Sequence, residues 1–295
     1  MPANMDQRLQ QLHLQTRYPV EHLLAGEYRS VFKGRGMDFD EIRPYEKGDD
    51  VRSIDWNVTA RTGKPHIKRY IEERELAVWF LVDTSASCRT GHGARTKWDT
   101  LHEICALLAL SAVRNNDRVG LILFSDRIEH INPPRKGRLH AMHLLSDLLH
   151  AEPQGASTNL QPALDAFAHL ARRRSLAFIL SDFLFETARD QLGAVSFRQD
   201  LIAIAVNDSQ EIDPPACGLT AVKDSETGET MLCDLNRTHQ GDYARAFAKQ
   251  RAALKKELAA IGTDLIELTP ESDCPEALTL FFRNRLRRTA DETGG

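Results

Sequence analysis

No apolar run in this chain is long enough to cross a bilayer. The two longest, Leu76 to Val82 and Ile104 to Val113, fall well short of the roughly 20 residues a membrane helix needs, and the polar opening Met1 to Gln15 has no secretory-signal core. Both absences point to a cytoplasmic protein without a membrane span. Five cysteines, Cys88, Cys105, Cys217, Cys233 and Cys274, are an odd number with no CxxC spacing, which argues against a disulfide framework and a zinc ribbon. Charge of one sign is not in excess either: 38 Lys and Arg against 42 Asp and Glu give a formal net charge of -4 and no general pull toward nucleic acid or anionic lipid. The basic tail Arg283-Asn-Arg-Leu-Arg-Arg288 reads as one solvated helix face. Also missing are a Gly-x-Ser-x-Gly elbow, a Walker A loop and an HExxH helix. Gly91-His-Gly93 follows a strand but lacks the third glycine of a dinucleotide fingerprint.

What is present is a globular core. The chain has 295 residues, of which 42% are hydrophobic, enough for one large or two small domains. From residue 75 onward strand-like and helix-like segments alternate. The strands are Leu76 to Val82, Val119 to Phe124, Leu176 to Leu180, Leu201 to Val206 and Asp264 to Leu268. The helices run near Lys97 to Arg114, Leu139 to His150, Leu160 to Arg172 and Tyr243 to Ile261, with a closing helix from about Pro275. This alternation predicts an α/β fold with a doubly wound, mostly parallel sheet. A hairpin is expected as an insertion near 218–234, around the turn Ser225-Glu-Thr-Gly228. Residues 1–74 read as a small helical and β-rich lead-in packed on the main unit of residues 75–295. Its first 30 residues carry Leu9, Leu12, Leu14, Val20, Leu23 and Leu24, broken by Pro19, and strand-like His66 to Ile71 follows later.

The first strand runs straight into Asp83-Thr-Ser85-Ala-Ser87. That puts a carboxylate and two hydroxyls at a strand's C-terminal end, where open α/β sheets bind ligands. Two further pieces fall at matching places: Thr158, in the loop Gly155-Ala-Ser-Thr-Asn that opens a helix, and Ser181-Asp182, at the end of the strand Leu176 to Leu180. If the strands of Asp83 and Asp182 are neighbours, two carboxylates and three hydroxyls converge. Mg²⁺ takes oxygen ligands at roughly 2.0 to 2.1 Å and keeps several waters, so this set suits it better than Zn²⁺; Mn²⁺ and Ca²⁺ are the alternatives. An ion held largely by hydroxyls keeps uncompensated positive charge and an open position that an incoming Asp or Glu can fill.

Each element also has a plainer reading. Asp and Ser at strand ends cap helices. Arg43, Arg52 and Arg61 suit structural ion pairs. His140, His143 and His150, with Asp147, form the polar stripe of an amphipathic helix whose other face holds Leu139, Met142, Leu145 and Leu149, so zinc is not expected there.

The set Asp83-x-Ser85-x-Ser87, Thr158 and Asp182 resembles the metal-ion-dependent adhesion site of von Willebrand factor A domains. The lead-in narrows the resemblance. Its segment Gly34-Arg-Gly-Met-Asp-Phe-Asp-Glu-Ile-Arg43-Pro-Tyr45-Glu-Lys-Gly48-Asp49-Asp50-Val-Arg52-Ser-Ile-Asp55-Trp56, with Ala60-Arg61 and Glu72-Glu-Arg74, is similar to the bacterial domain-of-unknown-function family 58. Cys88 stands where the A-domain pattern often has Met, and Ala156-Ser157 replaces the more usual glycine before the threonine. The resemblance implies an A-domain fold, a Mg²⁺ site at those five residues and a chaperone-like partnership with a MoxR-type AAA+ ATPase in assembling or activating other proteins. It implies no reaction. Two other readings stay open: a scaffold whose site stays unfilled, and a Mg²⁺-dependent phosphoryl-transfer enzyme using Asp83. The second carboxylate such enzymes carry two positions later is absent, because residue 85 is Ser.

Overall fold

The computed structural model describes residues 39–46, 54–70 and 76–293, together with Thr16, Tyr28 and Asp49. Apart from Thr16 and Tyr28, the expected helical region of residues 1–30 lies outside the described residues. So do Gly34 to Asp38, Gly48, Asp50, Arg52 and Glu72 to Arg74.

The segment Ala77–Asp83 (β3) has no polar residue before its terminal aspartate, so it is stable only where both faces are covered, and every residue after Ala77 is buried. It sits inside a six-stranded sheet of order β10-β7-β6-β3-β4-β5. The other strands are Arg118–Phe124 (β4), Ile128–Arg135 (β5), Leu176–Ser181 (β6), Asp200–Val206 (β7) and Asp264–Leu268 (β10). All neighbours are parallel except β5, which runs antiparallel to β4. Strand β5 is absent from the sequence reading because Ile128-Glu-His-Ile-Asn-Pro-Pro-Arg lacks apolar alternation and contains two prolines; at a sheet edge those missing N–H groups cost little.

Period-two alternation splits the core into two layers. Val78, Phe80 and Val82 face helices Lys97–Arg114 (α2), Arg138–Leu149 (α3) and Cys274–Thr293 (α8). Trp79 and Leu81 face Gln161–Leu170 (α4), Arg189–Ser196 (α5) and Arg237–Ala260 (α7). Phe80 stacks on Phe178 with ring centroids 5.7 Å apart, tying β3 to β6. Helix α2 begins at a capping box, in which the Thr96 side chain accepts from Asp99 N–H and the Asp99 carboxylate accepts from Thr96 N–H. One helix face differs from the sequence reading. In α3 the buried residues are Ala141, Leu144, Leu145 and Leu148, while Leu139 is 74% exposed in the first turn.

Before the sheet, Phe39–Pro44 (β1) and His66–Tyr70 (β2) pair antiparallel. Between them lies helix α1, Trp56–Thr62, capped by the Asp55 side chain and ended by Gly63 at φ +70°. Arg43 pairs with Asp49 at 2.7 Å, a structural tie within this segment. After β7 comes a short turn of helix, Ser209–Ile212 (α6), and then Gly218–Lys223 (β8) and Thr230–Leu235 (β9) form a separate two-stranded hairpin.

Candidate cation site at the strand ends

Strands β3 and β6 are parallel neighbours with Val82 opposite Leu180. That register brings Asp83 beside Ser181 and one residue short of Asp182. Asp83 is fully buried. Its Oδ1 accepts from Ser85 N–H at 2.9 Å and its Oδ2 from the Ser181 hydroxyl at 2.6 Å. A 3-10 turn, Ser87–Arg89, folds the chain back so that Ser85 Oγ and Ser87 Oγ lie 3.1 Å apart. Two adjacent ligands of an octahedral ion with bonds of roughly 2.0 to 2.1 Å are separated by about 2.9 Å, so the hydroxyls already stand close to that spacing.

Asp182 is 1% exposed. Its Oδ1 accepts from Leu184 N–H at 3.2 Å, and its Oδ2 from Lys97 Nζ at 3.0 Å. Lys97 is itself fully buried and also donates to Glu211 Oε1 at 2.5 Å. The backbone carbonyl of Asp182 is held by Asn207 Nδ2 at 3.1 Å and by the Arg251 guanidinium. The next residue, Phe183, takes φ +52°, a left-handed conformation that costs a bulky side chain of order 1 kcal/mol or more. The backbone that aims Asp182 is therefore held by its surroundings against local preference.

The loop bearing Thr158 is tied to the same edge. Ala86 N–H donates to Ala156 O at 3.2 Å, and Asn159 N–H to Ser125 O at 2.9 Å. Gly155 N–H donates to Glu129 Oε1 at 2.9 Å. A Cβ at Gly155 would lie 2.2 Å from both Ser125 Oγ and Asp126 Oδ1, which explains glycine there. Thr158 is half-buried, and its hydroxyl donates to Glu226 Oε1 at 2.9 Å.

Burial, and then the charge of Asp182, push the Asp83 carboxyl from 3.8 up to about 6, against the lowering effect of the Ser181 and Ser85 hydrogen bonds. Burial pulls the Lys97 ammonium down, but Asp182 and Glu211 outweigh it and leave it raised. Burial also raises the Cys88 thiol, with Asp182 and Asp83 adding to it. One ligand atom each from Asp83, Cys88 and Asp182 lie within 4.8 Å of one another. The thiol is thus held protonated, and the available donors are hard oxygens, a set that fits Mg²⁺, Mn²⁺ or Ca²⁺.

Of the five sequence candidates, Asp83, Ser85, Ser87 and Asp182 come together at adjoining strand ends, and Thr158 stands on the neighbouring loop with its hydroxyl engaged by Glu226. Sequence reasoning missed Lys97, Glu211, Arg251 and Glu226, and the hydrogen bond by which Ser181 orients Asp83. Lys97 is the first residue of an amphipathic helix after a capping threonine, where a lysine is ordinarily solvated. Only the pairing of β6 with β3 reveals its burial.

The family described as "Protein of unknown function DUF58" matches residues 41–253. An uncharacterized protein of Mycobacterium tuberculosis is 31% identical over 282 residues, covering 95% of this chain and 89% of that one. One of Mycobacterium avium is 30% identical over 158 residues, covering 52% of this chain and 94% of that one. Among solved structures, the conserved hypothetical protein BatB from Bacteroides thetaiotaomicron has a TM-score of 0.46 and 13% identity over 72% of this chain and 99% of that chain. The SpRpn10 VWA domain has a TM-score of 0.43 and 12% identity over 70% of this chain and 94% of that one. On the family match and the mycobacterial relatives, this chain belongs to the DUF58 family.

Proposed function

We propose that this protein is a non-enzymatic, divalent-cation-dependent interaction module. In this reading Asp83, Ser85, Ser87, Thr158 and Asp182 hold Mg²⁺, and an Asp or Glu of a partner completes its shell. The observation that carries the reading is the pair of buried carboxylates at adjacent strand ends beside two hydroxyls 3.1 Å apart. Hydroxyls bring no charge, and Lys97 already offsets Asp182. A divalent ion at Asp83 therefore keeps positive charge unspent, which is what an incoming carboxylate seeks. When bound, Mg²⁺ would supply an open coordination position. This chain's own residues do the rest: Ser181 and Ser85 N–H orient Asp83, and Lys97, Asn207 and Arg251 fix Asp182.

The enzymatic reading is the weaker one. Residue 85 is Ser where phosphoryl transfer on this plan calls for a second carboxylate, and the Asp83 carboxylate is fully buried and turned to Ser181 and Ser85. The partner class we propose is the one the sequence resemblance implies, a MoxR-type AAA+ ATPase, with this chain serving the assembly or activation of client proteins. The test is capture of a purified MoxR-type ATPase by the immobilised full-length protein in Mg²⁺ and in EDTA. Capture should be lost in EDTA and in Asp83→Ala. Capture that survives either condition contradicts the proposal.

A further inference from the structure

The β8–β9 hairpin brings a carboxylate of this chain to the same edge. Glu226 lies 68 residues from Thr158, yet it accepts the Thr158 hydroxyl at 2.9 Å. The hairpin's tip is built to present it. Asp224 Oδ1 accepts from Glu226 N–H at 2.7 Å and Thr227 N–H at 3.0 Å, Gly228 turns at φ +74°, and Asp224 N–H closes on Glu229 O at 2.8 Å. Glu226 is half-buried, whereas every neighbour from Ala221 to Leu232 is exposed. The rest of the hairpin has little to hold it. Its strands pair with each other and with no other described strand, and Leu219, Val222, Met231 and Leu232 are exposed. A two-stranded hairpin alone is marginal in water, so its tip contact matters.

We propose that Glu226 is this chain's own ligand for the cation site, an internal carboxylate seated where a partner's carboxylate docks. The proposal rests on the cation-site reading given above. Without a cation, Glu226 is held at the Thr158 hydroxyl. With one, it is drawn in, and the hairpin closes over the site. A docking partner must then displace the tip, so the hairpin makes docking competitive rather than additive.

The experiment uses the full-length protein, Glu226→Gln and Asp83→Ala, with Mn²⁺ as the probe. Affinity is read by electron paramagnetic resonance, and exchange of residues 218–235 by hydrogen–deuterium mass spectrometry. Glu226→Gln should weaken Mn²⁺ by about tenfold or more, as loss of a metal-site carboxylate does. Mn²⁺ should slow hairpin exchange in the native protein and not in Glu226→Gln. The substitution lies at a hairpin tip, and an unchanged melting temperature verifies the fold. If Asp83→Ala abolishes Mn²⁺ binding while Glu226→Gln changes neither readout, the Glu226 assignment is overturned and the site stands. If the native protein binds no Mn²⁺, or Asp83→Ala binds it equally well, both fall.

Discussion

Replacing Asp83 with Asn should stabilise the cation-free protein at neutral pH. Asp83 is fully buried, and burial followed by the Asp182 charge raises its carboxyl from 3.8 to about 6. A rise of roughly two units corresponds to about 3 kcal/mol. The sign follows from linkage: the folded state binds the proton more tightly than the unfolded state, so Asp83 costs stability above about pH 6. The cost fades as pH falls toward 3.8. Asn keeps the shape. Its amide oxygen still accepts from Ser85 N–H, and the Ser181 hydroxyl can rotate to accept from the amide nitrogen. The shift is already net of the hydrogen bonds that Ser181 and Ser85 give the carboxylate; the further offset is the buried Ser181 O–H, which loses its acceptor, at about 1 to 2 kcal/mol. A net gain of about 1 to 2 kcal/mol remains. Urea melts in EDTA should show Asp83→Asn more stable than the native protein at pH 7.5, with the gap closing between pH 6 and pH 4. Added Mg²⁺ should reverse the ranking, because only the native protein binds it. A less stable Asp83→Asn protein at pH 7.5 in EDTA, or a gap that does not change with pH, would refute the reasoning.

Two further outcomes follow from the same geometry. Lys97→Met strands Asp182 and Glu211 without their shared ammonium, so urea melts should show a loss of about 3 kcal/mol or more; a loss under 1 kcal/mol would mean that the buried pair is not balanced by Lys97. Gly155→Ala forces a Cβ against Ser125 and Asp126, so it should cost about 1 to 3 kcal/mol and weaken Mg²⁺ by displacing the Thr158 loop. Unchanged Mg²⁺ affinity in that variant would separate Thr158 from the site.

The parts of this fold that were readable locally are those whose burial is uniform. The run from Leu76 to Val82 has no polar residue and can only be an interior strand, and its ending in Asp83 places the carboxylate at the ligand-binding edge. The same holds for Leu176 to Leu180, and the adjacency of the two strands makes Asp83 and Asp182 one cluster. Strand β5 was hidden because an edge strand need not alternate and tolerates Pro133 and Pro134. Leu139 misled because a leucine in a helix's first turn need not face the core. The charges around the site were hidden for a different reason: Lys97, Glu211, Arg251 and Glu226 reach it from four separate elements. Only the topology makes Lys97 and Arg251 neighbours of Asp182, Glu211 a neighbour of Lys97, and Glu226 a neighbour of Thr158.

The central claim, a divalent cation held at Asp83, is tested most directly by titrating Mg²⁺ into the full-length protein at pH 7.5 by isothermal calorimetry, with Asp83→Ala beside it. The account predicts saturable binding of one ion per chain in the native protein and none in the variant. Absence of binding in the native protein, or equal binding in Asp83→Ala, would contradict it.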